Sequence, residues 1–245
     1  MTKVRLDILL VDRRLAPTRE KARAMILAGA VLVEEQCVDK AGTLVAPEVS
    51  LRIRGEVSPY VSRGGLKLKG ALETFGISVN NFVILDAGAS TGGFTDCLLQ
   101  EGAKKVYALD VGYGQLAWRL RQDPRVVAIE RTNIRYFDGR GIEEDLDMAT
   151  VDASFISLKL IIPPICRLVR EDGFILALIK PQFEVGKDQV GKRGVVRDTA
   201  LHQQVVEEMK TFFQETGLEV LGTCESSLVG PAGNHEFFIY AKNVK

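Results

Sequence analysis

The chain of 245 residues has 46% hydrophobic and 26% charged residues, an ordinary globular composition that excludes disordered, collagen-like and coiled-coil classes. Its length suits one substantial domain and one smaller one. The formal net charge is zero, but residues 1–69 carry 13 Lys and Arg against 8 Asp and Glu, while the remainder carries 19 against 24. Such asymmetry indicates a basic segment that faces nucleic acid.

The cysteines and histidines give no sign of a metal site. Four cysteines lie about sixty residues apart without a Cys-x-x-Cys pair, and His202 and His235 are too few and too distant to suggest zinc. No apolar run approaches the roughly 18 residues that span a bilayer, and no apolar signal segment follows Met1. We therefore expect a cytoplasmic protein that requires no metal and has no stable membrane association.

Residues 1–58 predict a small α+β domain. The spacing of Leu6, Leu9, Leu10 and Leu15 is helical. After Pro17, Thr18 is expected to cap a second helix that ends at Gly29. Short β-type runs follow at residues 31–33, 43–45 and 51–53. We place a linker at residues 59–62.

From residue 63 to residue 245 helical and strand patterns alternate, which predicts a doubly wound, mostly parallel sheet. Helices are expected at 63–75 and 94–100. Seven strands are expected at 82–85, 105–109, 126–129, 148–151, 174–179, 218–224 and 237–241. The last two lack a helix between them and should form an antiparallel hairpin at the sheet edge. Residues 181–197 read as a long polar loop, a feature that is often functional.

The strongest local signal is the run Asp86-Ala-Gly-Ala-Ser-Thr-Gly-Gly-Phe94, in which a buried strand ends in an acid and a glycine-rich turn opens a helix. Its spacing matches neither the dinucleotide pattern nor the P-loop. Asp110 ends the next strand 24 residues after Asp86, where a carboxylate can accept both hydroxyls of a ribose. The pair indicates a nucleoside whose tail carries an amino acid, and a tight turn without a ligand is the alternative.

This run resembles motif I of S-adenosylmethionine-dependent methyltransferases, in the form used by FtsJ-type RNA ribose methyltransferases. Five further motifs in the same order resemble the TlyA family, often labelled haemolysin: Ser62-Arg-Gly-Gly-Leu-Lys-Leu68, Asp110-Val-Gly-Tyr-Gly-Gln-Leu-Ala-Trp118, Asp152-Ala-Ser-Phe-Ile-Ser157, Lys180-Pro-Gln-Phe-Glu-Val-Gly186 and Gly230-Pro-Ala-Gly-Asn-His-Glu236. The N-terminal unit is similar to the RNA-binding module of ribosomal protein S-four. The resemblance implies a Rossmann-like class I methyltransferase with a seven-stranded sheet, preceded by that small module.

The activity that this resemblance implies is methyl transfer from S-adenosylmethionine to a ribose 2'-hydroxyl, of cytidine in ribosomal RNA. The chain looks like the shorter members of the family, which suggests large-subunit RNA. The implied cofactor-binding residues are Asp86, Gly88, Ser90, Gly92, Gly93, Phe94, Asp110, Val111, Asn133 and Asp152. At Asn133 this sequence has an amide where FtsJ-type relatives usually have Asp.

The resemblance also implies a catalytic set of two lysines and two carboxylates: Lys67, Asp152, Lys180 and Glu236. The residues permit it, because Asp152 and Lys180 each end an apolar strand at its carboxyl side, where ligands of open α/β sheets bind. Lys69 lies about 160° around the helix from Lys67 and cannot serve the same site. Our hypothesis is that Lys180 is the base and that the other three orient or tune it.

Basic residues are expected to hold the RNA backbone. They are Arg13, Arg14, Arg19, Arg23, Arg63, Lys187, Lys192 and Arg193, and Arg197 could extend the same track.

Three other functions remain open at this point: a methyltransferase acting on something other than RNA, an RNA-binding protein without methyltransferase activity, and a membrane-active haemolysin. The last has little support, because the basic amphipathic stretches are short.

Overall fold

A computed structural model describes residues 3–53, 59–186, 189–191 and 194–244. The chain divides into two compact units, Met1–Pro59 and Tyr60–Lys245. Each has a hydrophobic core of its own, so each is described separately.

Over residues 3–53, the described part of the first unit holds two helices and five short strands. They are β1 (Val4–Arg5), α1 (Leu6–Asp12), α2 (Arg19–Leu27), β2 (Val31–Val33), β3 (Gln36–Cys37), β4 (Leu44–Val45) and β5 (Leu51–Ile53). β1 pairs with β4, and β2 lies between β3 and β5, with all pairs antiparallel. Two-residue strands such as β1 and β3 carry too little periodic pattern to be predicted from sequence.

The helix ends of this unit follow from single residues. Thr18 is confirmed as the cap of α2, because its hydroxyl oxygen accepts a hydrogen bond from the Lys21 amide at 3.2 Å. Leu15 lies beyond α1, which ends at Asp12, since Arg14 has a positive φ of 58° that ends the helical conformation. Gly29, with a φ of 67°, ends the turn after α2 as expected.

The second unit is built on one seven-stranded sheet. Its elements are α3 (Gly64–Phe75), β6 (Val83–Ala87), α4 (Gly93–Gln100), β7 (Lys105–Leu109), α5 (Trp118–Arg121), β8 (Val126–Ile129), β9 (Leu146–Val151), α6 (Ile162–Cys166), β10 (Val169–Ile179), α7 (Pro181–Glu184), α8 (Thr199–Glu215), β11 (Leu218–Glu225) and β12 (Phe237–Asn243). Short 3₁₀ turns lie at Ile134–Tyr136 and Leu158–Leu160.

The strand order is β11-β12-β10-β9-β6-β7-β8. Strands β10, β9, β6, β7 and β8 are parallel, while β12 is antiparallel to both of its neighbours, β10 and β11. This arrangement confirms the predicted doubly wound sheet and its C-terminal hairpin.

The sheet has a hydrophobic layer on each face, which is what a doubly wound fold requires. Alternate residues of β6 divide between the layers: Leu85 faces the layer that contains Phe213 of α8, and Ile84 faces the layer that contains Leu68 of α3 and Leu98 of α4. The parallel strands are therefore buried on both sides and read in the sequence as continuous apolar runs.

Three expectations need correction. Strand β6 extends to Ala87, so Asp86 lies inside the strand rather than after it. Strand β10 begins at Val169, because the ladder continues past a register shift between Val169 and Phe174 that the charged run 170–172 conceals in the sequence. The polar segment 181–197 begins with the helical turn α7, in which Pro181 takes the first position that proline tolerates.

Candidate active site

A cavity of about 740 Å³ opens beside the carboxyl ends of β6, β9 and β10. All four residues of the implied catalytic set line it: Lys67, Asp152, Lys180 and Glu236. Parallel strands end at the same edge of a sheet, which explains why Asp152 after β9 and Lys180 after β10 meet there. Lys67 arrives on α3, and Glu236 directly precedes β12.

Lys67 and Glu236 form a buried ion pair across 169 positions of sequence. Lys67 Nζ donates a hydrogen bond to Glu236 Oε2 at 2.5 Å, and the two residues are only 7% and 2% exposed. Lys69 points elsewhere, as its position on the helix predicted, and pairs with Glu73 and Glu101 outside this cavity.

Lys180 has two contacts of different kinds. Its Nζ lies 2.6 Å from Asp152 Oδ1 and donates a hydrogen bond to Ser154 Oγ at 2.8 Å. The contact with Asp152 is close, but it lacks hydrogen-bond alignment: Asp152 Oδ1 is buried and accepts no hydrogen bond from the described part of the chain. Asp152 therefore attracts the Lys180 ammonium by charge, while Ser154 binds it directionally.

The glycine turn after β6 forms one wall. Gly88 has a φ of 88°, and a Cβ at this position would lie 2.6 Å from the carbonyl oxygen of Asp152, so only glycine allows the turn to pack against the end of β9. On the other side of the turn Asp110 accepts hydrogen bonds from the amides of Ser90, at 2.8 Å, and Gly112, at 2.7 Å. Asp110 thus fixes the conformation of the turn.

Asp86 lies beneath this turn and does not line the cavity. It is fully buried and accepts hydrogen bonds from the hydroxyls of Thr95, at 2.6 Å, and Thr150, at 3.2 Å. Burial raises the pKa of Asp86 to about 7, a rise that the Thr95 hydrogen bond limits. A protonated carboxyl is accordingly within reach at neutral pH.

The other predicted cofactor residues divide into two groups. Lining the cavity are Gly88, Ser90, Gly93, Phe94 and Asp152. Outside it lie Gly92, Asp110, Val111 and Asn133. Val111 is 67% exposed, and the Asn133 side chain accepts a hydrogen bond from the Arg135 amide at 3.1 Å. Their roles in cofactor binding stay predictions.

Sequence reasoning missed several cavity residues, among them Ser154, Phe155, Gln182, Phe183 and Asn234. Phe155 is 90% exposed, has a positive φ of 63°, and its ring centroid lies 5.1 Å from that of Phe183. Their position in the chain could have identified them, since each lies within three residues of Asp152, Lys180 or Glu236.

Glu184 holds the loop after β9 against α7. It accepts hydrogen bonds from the Ser157 hydroxyl at 2.6 Å and the Leu158 amide at 2.8 Å. Burial raises the pKa of the Glu184 carboxyl. The loop that carries Asp152, Ser154 and Phe155 is consequently anchored at its far end.

The basic residues predicted to bind RNA have different surroundings. Arg13 donates to the carbonyl oxygens of Val49 and Pro47, and Arg19 pairs with the buried Asp7 at 2.9 Å. Hydrogen bonding by Arg5 lowers the pKa of Asp7 to about 2. Arg14, Arg23 and Arg63 are exposed, and Arg197 is exposed as well. Lys187, Lys192 and Arg193 lie outside the described residues.

Two searches of the described residues gave negative results. Within ranges 3–53, 59–186, 189–191 and 194–244, no three His, Cys, Asp or Glu side chains are grouped so that they could hold a metal ion. Over the same ranges, every helix is too short or too polar to cross a membrane.

Comparison with known families now assigns the two units. The FtsJ-like methyltransferase family matches residues 60–243, and the S4 domain family matches residues 4–50. The chain belongs to the FtsJ-like methyltransferase family. The strand order of the second unit is the Rossmann-like methyltransferase fold of that family, as the motifs implied.

Relatives along nearly the whole chain confirm the resemblance to TlyA proteins. The 16S/23S rRNA (cytidine-2'-O)-methyltransferase TlyA of Mycobacterium tuberculosis is 45% identical and covers 98% of this chain and 90% of its own length. The 23S rRNA (cytidine-2'-O)-methyltransferase TlyA of Campylobacter jejuni is 37% identical, with 85% and 80% covered. A solved structure from Streptococcus thermophilus that carries the hemolysin name is 43% identical, with 99% and 89% covered and a TM-score of 0.77.

Proposed function

We propose that this FtsJ-like methyltransferase transfers a methyl group from S-adenosylmethionine to the 2'-hydroxyl of a cytidine in ribosomal RNA. The observation that carries the proposal is the convergence of Lys67, Asp152, Lys180 and Glu236 in one cavity beside a glycine turn. The names of both TlyA relatives specify cytidine and 23S rRNA, and the M. tuberculosis name adds 16S rRNA; what the two names share supports large-subunit RNA as the substrate.

The residues present fit S-adenosylmethionine. The cavity volume of about 740 Å³ lies in the usual range for ligand sites, about 300–1,000 Å³. Gly93, at the start of α4, lines it, so the N-terminal end of this helix, which carries partial positive charge, borders the cavity and suits a carboxylate. Asp152, whose buried Oδ1 accepts no hydrogen bond from the described residues, also lines the cavity. We propose that the turn 88–94 holds the amino-acid end of the cofactor, and that Asp110, whose carboxylate can accept further hydrogen bonds besides the two from backbone amides, accepts its ribose hydroxyls.

The reaction needs in-line positioning and removal of a proton from a weakly acidic hydroxyl. Bound S-adenosylmethionine would supply the methyl group, since its C–S bond would break, leaving the electron pair on sulfur, as the ribose oxygen formed the new C–O bond. Lys180 Nζ, entering the reaction as a neutral amine, accepts the hydroxyl proton and leaves as an ammonium beside Asp152. Lys67 and Glu236 form another ion pair in the lining of the same cavity.

The surroundings of the two lysines favour Lys180 as the base. Lys67 donates an aligned hydrogen bond to the Glu236 carboxylate, which can only accept and therefore stabilises an ammonium. Lys180 has a neutral hydroxyl as its aligned partner, and its carboxylate neighbour lies off the hydrogen-bond direction. The hydrogen bond to Ser154 thus does not require Lys180 to be charged, because a hydroxyl can also donate to an amine.

We further propose that residues 1–58 bind RNA, that 63–245 carry out methyl transfer, and that 59–62 link them. The S4 domain match and the exposed Arg14 and Arg23 support the first assignment. Phe155, exposed at the cavity, offers a flat apolar surface on which an unstacked base can rest.

The test is methyl transfer by wild-type protein, Lys180→Ala and the control Lys69→Ala on ribosomal subunits that lack the modification. Lys180→Ala should bind S-adenosylmethionine normally and transfer about 10²- to 10⁴-fold more slowly, the usual contribution of a general base. Lys69→Ala should behave as wild type, because Lys69 lies outside the cavity. Ribose methylation is then mapped by nucleotide.

Different results of this test would contradict different parts of the proposed function. Near-normal turnover by Lys180→Ala would refute the assignment of the base. Wild-type protein that binds RNA without methylating it would identify an RNA-binding protein, and methylation at a base atom would refute ribose transfer.

A further inference from the structure

Ser154 is the hydrogen-bond partner of Lys180, and no sequence pattern singled it out. Its Oγ accepts a hydrogen bond from Lys180 Nζ at 2.8 Å, and it lines the cavity. We propose that Ser154 is a positioning residue that directs the Lys180 amine toward the hydroxyl that is methylated. The proposal deepens the proposed function and rests on Lys180 being its base.

The geometry divides two tasks between the neighbours of Lys180. Asp152 Oδ1 is the nearer atom, at 2.6 Å, but it accepts no aligned hydrogen bond from the described residues. Coulomb attraction depends on distance, whereas a hydrogen bond weakens steeply when the angle closes. Asp152 therefore keeps the ammonium near without fixing its orientation, and Ser154 sets the direction.

A hydroxyl suits this position because it can bond to both protonation states of the amine. Ser154 accepts from Lys180 as an ammonium and, by rotating its O–H, can donate to Lys180 as a neutral amine. A carboxylate such as Asp152 has only the first option. The contact with Ser154 consequently persists while Lys180 takes up and releases a proton.

The loop that carries Ser154 is fixed at both ends. At its start the Asp152 amide donates to the Ala87 carbonyl at 3.0 Å, and at its end Ser157 and Leu158 are held by Glu184. Ser154 is thereby held in place by groups that do not involve Lys180. A side chain in an anchored loop can orient a long, flexible lysine, because it has little freedom of its own.

The experiment compares Ser154→Ala, Ser154→Thr and the control Ser227→Ala in single-turnover methyl transfer. Ser227 bonds the Leu66 carbonyl and lies outside the cavity. Ser154→Ala should slow transfer about 10- to 100-fold, as expected for a misdirected reacting group, with the Kd for S-adenosylmethionine and for RNA unchanged within about twofold. Ser154→Thr, which keeps the hydroxyl, should recover most of the rate. Equal rates in Ser154→Ala and wild type would overturn the proposal.

A second measurement needs no methyl transfer. In ¹⁵N-lysine-labelled protein, the Lys180 Nζ signal is assigned by its loss in Lys180→Ala, and its proton exchange with water is followed. Loss of the Ser154 hydrogen bond should accelerate this exchange by at least about fivefold, and threonine should restore it. Unchanged exchange would overturn the positioning role even if wild-type protein methylated no ribosomal RNA, an outcome that would separately refute the proposed function.

Discussion

The ion pair between Lys67 and Glu236 is almost completely buried, so its two charges depend on each other. Glu236→Ala leaves an ammonium without a partner in the interior. We expect the free energy of unfolding to fall by about 3–5 kcal/mol, the cost of an uncompensated buried charge. Urea denaturation measures it.

A matched control is the exposed pair of Arg52 with Glu35, whose side chains are 58% and 64% exposed. Glu35→Ala should change stability by at most about 1 kcal/mol, because water screens that pair. The double variant Lys67→Met with Glu236→Leu removes both charges and should lose less than Glu236→Ala. Similar losses in Glu35→Ala and Glu236→Ala would contradict the burial argument.

The buried Asp86 makes the free energy of unfolding depend on pH, and its contribution falls as the pH rises. Its pKa of about 7 in the folded protein exceeds the ordinary 3.8, so the folded state prefers the protonated carboxyl. This preference contributes stability that is fully present below about pH 4 and is lost as the pH rises to about 7. Asp86→Asn has no carboxyl to ionise and should gain stability relative to wild type from pH 4 to pH 7.

Urea denaturation of both proteins at several pH values measures that difference. Comparison at each pH cancels the contributions of groups that the two proteins share. A difference in unfolding free energy that stays constant from pH 4 to pH 8 would show that Asp86 ionises in the folded protein as readily as in the unfolded chain.

Among the elements, helix α2 depends on its cap. Thr18 satisfies one of the amides that a helix N-terminus leaves without a partner, and Thr18→Ala should cost about 1 kcal/mol. Thr18→Ser keeps the hydroxyl oxygen and should lose much less. Thermal unfolding of the two variants distinguishes them, and equal losses would show that the methyl group, not the cap, stabilises this end.

The apolar pattern of the sequence is sufficient to predict the bounds of some strands but not of others. For β7 and β8 the predicted bounds coincide with those observed, because both strands are short and each is followed directly by an acidic residue, Asp110 or Glu130. For β10 the charged residues Arg170, Glu171 and Asp172 interrupt the apolar run, although the strand pairs with β9 on either side of them. Backbone pairing continued where the side-chain pattern stopped.

At the scale of the whole molecule, the basic residues of the first unit should make RNA binding sensitive to salt. Arg23 is exposed, whereas Arg19 pairs with the buried Asp7. Arg23→Glu should weaken RNA binding, reduce the slope of log K against log salt concentration by about 0.7–0.9 for each lost phosphate contact, and leave stability nearly unchanged. Arg19→Ala should lower stability as well.

Filter binding at several salt concentrations, together with urea denaturation, separates these effects. An Arg23→Glu protein with wild-type affinity at all salt concentrations would remove α2 from the RNA-binding surface.

The sequence by itself determined the alternation of elements and the glycine turn, whereas the catalytic set that lines the cavity, Lys67, Asp152, Lys180 and Glu236, was implied by the family resemblance of the motifs. Local pattern is enough for the elements and the turn, since buried strands and turns are each encoded within a few positions. It also separated Lys67 from Lys69, because helical geometry alone places them on different faces.

Only the tertiary structure decided which partner each of those residues has. Glu236 reaches Lys67 across 169 positions, Asp86 is covered by Thr95 and Thr150, and Ser154 rather than Asp152 makes the aligned bond to Lys180. The reason is physical: hydrogen bonds depend on angles and on burial, and both are set when distant segments pack together. Sequence spacing specifies neither.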